Sequence, residues 1–132
     1  MARTVVAAAA AGKPVGPYSQ AIAVNDWVFV SAEKGVDPVT GKVAEGGVRA
    51  ETAQAFKNIQ TILEAAGSSL RDVARCVVFL TDMNDFQAMN ETYGTFFPND
   101  PPARTTVGVA SLPLGLRVLI EVTACRQSGS PE

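Results

Sequence analysis

The chain contains no histidine. That absence removes the commonest metal ligand, the imidazole of a Ser-His triad and the usual general base at neutral pH. Cysteine is scarce: Cys76 and Cys125 are the only two, each inside an apolar run and not at paired spacing. They read as buried free thiols in a reducing compartment, which points to the cytoplasm, although sequence alone leaves a disulfide open. No sign of charge is in large excess. Lysine and arginine number 11 against 13 aspartates and glutamates, for a net charge of −2. The basic stripe of a nucleic-acid binder is therefore missing. No apolar run reaches membrane-spanning length, and the stretch from Met1 to Ala11 lacks the longer apolar core of a signal peptide.

What is present fits one domain, residues 1–132: the chain is 132 residues long, with no internal repeat and no low-complexity linker. A polar tail from Gln127 to Glu132 is expected to fray. Thr4-Val5-Val6 reads as a short first strand. Gln20 to Val24 and Trp27 to Ala32 read as a hairpin about an Asn25-Asp26 turn. A second turn follows at Asp37-Pro38-Val39-Thr40-Gly41. Phe56, Ile59, Leu63 and Ala66 recur at helical spacing, so a helix is expected over Val48 to Ala66, stopped by Gly67. Ser69 to Asp72 has the form of a capping box. Arg75 to Leu80 is a nearly continuous apolar strand. Asp82 is placed to cap a second helix with Phe86, Met89, Tyr93 and Phe96 or Phe97 on one face. Strands over Thr105 to Val109 and Val118 to Cys125 close the order.

The order β-β-β-α-β-α-β-β is an α+β pattern with both helices on one face of a single sheet. Yet Val77 and Phe79 point one way on their strand while Cys76, Val78 and Leu80 point the other. Two helices cover only one side of a sheet of five or six strands. A second apolar side calls for another cover, and another copy of the chain is the simplest one.

One stretch stands apart: Pro101-Pro102-Ala103-Arg104-Thr105-Thr106-Val107. Two prolines fix φ and lack amide donors, so the approach is stiff. A β-branched run follows. Arg104 is read at the hinge between them. Its planar fork suits a carboxylate through two parallel hydrogen bonds. The alternative is an edge arginine in a surface ion pair worth ~0–1 kcal/mol.

Three further segments join this one in order. Gly16-Pro17-Tyr18-Ser19-Gln20 precedes Phe29-Val30-Ser31. Leu80-Thr81-Asp82-Met83-Asn84-Asp85-Phe86, with Asn90 and Tyr93, follows the central strand. Leu112-Pro113-Leu114-Gly115 comes after Arg104. Together they resemble the RidA/YjgF family of reactive-intermediate (enamine/imine) deaminases, from about Val15 to Cys125. The resemblance implies a chorismate-mutase-like fold and a homotrimeric barrel with clefts at the subunit interfaces. It implies hydrolysis of 2-aminoacrylate-like enamines and imines to 2-keto acids and ammonia, without a cofactor. By the same resemblance Arg104 matches the arginine that binds the substrate carboxylate. Tyr18, Ser31 and Asn90 match residues of the same cleft, and Thr106 stands two after the arginine, where the family often has cysteine. For Tyr18 the alternative is a half-buried aromatic with a bonded hydroxyl. For Ser31 and Asn90 it is local backbone hydrogen bonding.

Two other departures bear on activity. The family's Ser-Gly-Gln is Ser31-Ala32-Glu33 here, followed by Lys34. Its Glu-Ile-Glu is Leu119-Ile120-Glu121, and leucine neither takes a proton nor accepts a hydrogen bond. Simple alternation along the third strand puts Glu33 on the face of Ser31, so Glu33 is a candidate to supply the missing carboxylate, a solvated strand-end charge being the alternative. Three functions are consistent with this reading: an imine deaminase with catalytic Arg104 and Glu33, a keto-acid-binding trimer without efficient turnover, and a ribonuclease. The missing histidine and the acidic balance weigh against the last.

Overall fold

Six segments pair into one sheet: β1 (Thr4–Val6), β2 (Ala21–Val24), β3 (Trp27–Lys34), β4 (Val73–Leu80), β5 (Ala103–Gly108) and β6 (Val118–Cys125). They lie in the order β1-β2-β3-β6-β4-β5. This is a computed structural model, and it describes residues 2–126; the tail expected to fray lies outside the described residues. Every pairing is antiparallel except β4 with β5, which is parallel. A parallel pair needs a crossover, and α2 (Phe86–Phe96) supplies it. The other helix, α1 (Gly47–Ala65), joins β3 to β4.

Both helices cover the same face of the sheet. Phe56, Ile59, Ile62 and Leu63 of α1 are fully buried against Val28, Val78 and Ile120 of the sheet. Each such side chain contributes about 1.5–3 kcal/mol on burial. Gly67, at φ 80°, provides the left-handed stop after α1. The opposite face of the sheet is open. Trp27, Phe29, Val5 and Val107 are exposed there, with Val77, Phe79 and Leu119 half-buried among them. The two-sided apolar pattern of β4 is thus real, and only one side of it is covered among the described residues. Among the described residues no helix is long and apolar enough to cross a membrane.

The element order agrees with the sequence reading, and three local details differ. Asp82 caps a short 3-10 turn, Met83–Asp85, by accepting from the Asn84 amide at 2.9 Å, and α2 starts only at Phe86. Ser69 and Asp72 do not form the reciprocal capping box. The Ser69 hydroxyl donates instead to the Asp72 carboxylate at 2.9 Å. Cys76 is buried and Cys125 only half-buried, both free. Cys76 lies under the helices and Cys125 opposite Trp27 on the open face, so the two thiols point away from each other.

One irregularity decides what lines the site. Between Val30 and Glu33 the register of β3 against β6 shifts: three steps on β3 face two on β6. This is a β-bulge, and it inverts the alternation of side chains beyond it. Immediately after, β3 runs hard against α1. A Cβ on Gly35 would collide with the Glu51 Cα and carbonyl carbon, so only glycine lets the strand approach here.

Candidate functional site

Arg104 is the second residue of β5, paired with Cys76 of β4, and not at a hinge before the strand. The strand starts two residues earlier than the β-branched run suggested, because Ala103 already pairs with Arg75. Cys76 faces the helices, and so does Arg104. Its guanidinium carbon lies 4.7 Å from the Tyr93 ring centroid and 5.7 Å from that of Phe86. Both aromatic rings come from α2, and contact with a ring face holds the planar fork in place. Phe86, Asn90 and Tyr93 follow at helical spacing, so one stripe of α2 builds the wall. The family resemblance pointed to Asn90; it also included Tyr93, which the helical spacing placed on the apolar face and to which no role at the site was given.

The cleft beside Arg104 has a volume of about 390 Å³ and is lined by Asn90, Tyr93, Phe97, Pro101 and Pro102. Two polar atoms of its lining, the Asn90 Oδ1 and the Tyr93 hydroxyl, are buried with no partner at hydrogen-bonding geometry. The Thr106 Oγ1 of β5, outside that lining, is also buried without one. Thr106 shares the Arg104 face of β5, two residues along. Burial and the Cys76 thiol beside it push the Tyr93 phenol well above its ordinary value, so it stays a neutral donor. Burial likewise raises the Cys76 thiol. No carboxylate among the described residues reaches ion-pair distance of Arg104; the two surface salt bridges use Arg49 and Arg117. Buried polar atoms are normally satisfied, so this cluster has the character of a half-made binding site for an anion.

Tyr18 and Ser31 lie elsewhere. They line a hollow of about 520 Å³ on the open side, walled by Val15, Ala32, Lys34, Leu114 and Leu119. The Tyr18 ring is exposed, and its hydroxyl oxygen accepts from the Val15 amide at 3.4 Å and the Lys34 ammonium at 3.5 Å. That leaves the phenol proton free to donate outward. The Ser31 hydroxyl donates to the Ser19 carbonyl at 2.7 Å, the local backbone bond named as its alternative. Ser31 can still accept a hydrogen bond in the hollow.

Glu33 is not on the face of Ser31. The bulge sets it opposite Ile120, whose side chain is buried under the helices, while Lys34 faces Leu119. Glu33 is therefore not in the lining of the Tyr18 hollow. It lines an adjoining depression of about 220 Å³ with Gln20, Asn58 and Asp37, and Val15, Tyr18, Lys34 and Leu114 form the wall that the two share. Burial there raises the Glu33 carboxyl from 4.5 to about 7, against the opposing pull of Lys34. Lys34, noted in the sequence only as a departure, turns out to be the charged residue of the Tyr18 hollow.

Within one chain the two half-sites stay apart. β3 and β5 are separated by β6 and β4. At strand spacings of about 4.8 Å that is roughly 14 Å, and the two groups face opposite sides of the sheet. Among the described residues no group of three or more His, Cys, Asp or Glu could hold a metal ion.

The family model described as Endoribonuclease L-PSP matches residues 8–126. A mouse protein named 2-iminobutanoate/2-iminopropanoate deaminase is 44% identical over 122 residues, covering 92% of this chain and 90% of its own. The crystal structure of RidA from an Antarctic Psychrobacter superposes with a TM-score of 0.89 at 41% identity, covering 92% of this chain and 98% of that one. The E. coli TdcF structure with bound serine gives a TM-score of 0.89 at 34% identity, covering 94% and 99%. A match across nearly the whole chain, on the same sheet and helices, places the protein in the RidA/YjgF family, which includes named imine deaminases.

Proposed function

We propose that this protein hydrolyses small 2-imino acids, and their enamine tautomers, to 2-keto acids and ammonia. The observation that carries the reading is Arg104. Its fork is set against Tyr93 and has no protein carboxylate within reach among the described residues, while the Asn90 Oδ1 and the Tyr93 hydroxyl lie unpartnered in the same cleft. A substrate carboxylate completes that arrangement, two of its oxygens meeting the guanidinium.

The second half of the site comes from a second copy of the chain. Three copies assembled through the open sheet faces cover Trp27 and Phe29 and close the three sheets into a barrel. The Arg104 edge of one protomer then meets the Tyr18 hollow of the next. Arg104 holds the carboxylate, and Asn90 and Thr106 offer hydrogen bonds beside it. The imine carbon projects toward Tyr18. Water adds across the C=N bond, its oxygen to carbon and one proton to nitrogen. The hydroxyl proton of the resulting carbinolamine passes to its nitrogen as the C–N bond breaks, so that ammonia leaves with a ketone behind it. An iminium carbon is already electrophilic, so holding substrate and water in line supplies much of the acceleration. Leu119 offers no base, so water is positioned by neutral donors and acceptors such as Tyr18 and Ser31. No cofactor is required, and the substrate needs nothing beyond a small carboxylate-bearing imine. The free thiols of Cys76 and Cys125 support a cytoplasmic setting.

The second reading is a keto-acid-binding trimer with little turnover, and the specific observation behind it is Leu119 in the hollow. A ribonuclease reading draws on the family description alone; the chain offers it neither imidazole nor basic stripe. A coupled assay that generates 2-aminoacrylate or 2-aminocrotonate in situ separates the first two. Faster keto-acid release at catalytic protein concentrations is the expected result. Unchanged release, with calorimetry still detecting keto-acid binding, would establish the binding protein instead.

A further inference from the structure

The Tyr18 hollow carries a charge that a monocarboxylic imine does not use. Its lining is mostly apolar and contains no carboxylate. Lys34 enters it because of the bulge, which turns Glu33 toward the helix side and Lys34 toward the open side. Across the sheet, Val107, Phe79, Leu119 and Lys34 form one row of paired positions, and Lys34 is the charged end of it. The ammonium donates to the Tyr18 hydroxyl at 3.5 Å, an exposed contact that sets it at the hollow's wall. It makes no ion pair with any described residue.

We infer that Lys34 makes the Tyr18 hollow an anion-accepting subsite, so that the favoured substrates carry a second carboxylate at the end of the side chain. This rests on the reading that the Arg104 cleft of one copy meets this hollow in the next. Arg104 takes the carboxylate next to the imine carbon, and Lys34 takes the distal one. A half-buried ammonium beside apolar walls gains more from a carboxylate than one in water does, because the surroundings screen the pair less. The preference is set by an attraction to one class and by an unfilled charge against the other. A substrate with a short alkyl side chain brings no carboxylate to the ammonium, whose only charged neighbours then lie in the adjoining depression that holds Glu33 and Asp37.

The test compares two stable keto-acid probes by calorimetry, 2-oxoglutarate and 2-oxobutanoate. The wild type is expected to bind 2-oxoglutarate about tenfold more tightly or better, the scale of one charge-assisted contact. Lys34→Met is expected to cut that ratio at least tenfold, and Lys34→Arg to preserve most of it. Leu119→Glu provides a second approach that leaves Lys34 in place. Its carboxylate, cross-strand from the ammonium, should also reduce the ratio. Equal affinities in the wild type, no measurable binding of either probe, or a ratio untouched by both Lys34→Met and Leu119→Glu would overturn the inference. Failure of the deaminase reading looks different: the dicarboxylate preference persists while the coupled assay shows no acceleration.

Discussion

The Arg104 cleft and the Tyr18 hollow are opposites in almost every physical respect. The first is walled by the rings of Phe86, Tyr93 and Phe97 and by two prolines, faces the helices, and holds two buried polar atoms without partners. The second lies on the open face, is mostly apolar, and has one ammonium tethered to one phenol. Neither is a complete site. The cleft can grip a carboxylate but has nothing to enclose the rest of a substrate. The hollow can enclose a side chain and carries no fork to orient it. In the proposed trimer the two surfaces meet through the open sheet face, and the proposed function rests on that meeting.

The most damaging test removes the meeting itself. Phe29 is exposed on the open face of β3, amid Trp27, Thr123 and Ile22. Phe29→Asp places a carboxylate where a neighbouring sheet should lie, and an unpaired buried charge costs several kcal/mol. Light scattering is expected to change from trimer to monomer, with loss of imine hydrolysis. A wild type that is monomeric at micromolar concentration would separate the two half-sites for good.

Next in size is the loss of the fork. Arg104→Ala is expected to weaken 2-oxobutanoate binding about tenfold to a hundredfold, from the ~1.5–3 kcal/mol of a charged hydrogen-bonded contact. Arg104→Lys should not restore it fully, since an ammonium lacks the second parallel donor. Both variants should remain trimers. Mixing Arg104→Ala with Leu119→Trp, which fills the hollow, sharpens the comparison. Hybrid trimers pair some intact clefts with intact hollows, and random mixing should return about a quarter of wild-type activity from two inactive parents. No recovery after confirmed subunit exchange would mean that both half-sites act within one chain.

The smallest effect concerns Glu33, now outside both half-sites. The unfolded chain releases this proton near 4.5, while the folded protein holds it to about 7. Between those values folding takes up a proton, so stability falls as pH rises through that window and levels off above it. Glu33→Gln should flatten the dependence of the thermal midpoint on pH from about 5 to 7 and raise the midpoint at pH 8. Its imine hydrolysis should fall by much less than the ~10²-fold of a proton-transfer group. A drop of that larger size would return Glu33 to the chemistry.

The order of strands and helices was legible along the chain because each depends on a local repeat. Ile59, Ile62 and Leu63 mark a helical stripe, and Cys76, Val78 and Leu80 mark one strand face, whatever lies across from them. Arg104 as the anion-binding candidate was legible too, from the stiff Pro101-Pro102 approach and the chemistry of a guanidinium. Its support was not. Tyr93 and Phe86 become its platform only because α2 crosses between two parallel strands and brings that stripe over β5. The exchange of Glu33 for Lys34 in the hollow was beyond any periodicity. A bulge is a property of two strands, three steps of β3 set against two of β6, and one extra residue reverses every face beyond it. The sequence by itself determined the elements, the two-sided apolar sheet and the guanidinium; the pairing of β3 with β6 decided which charge lines the Tyr18 hollow.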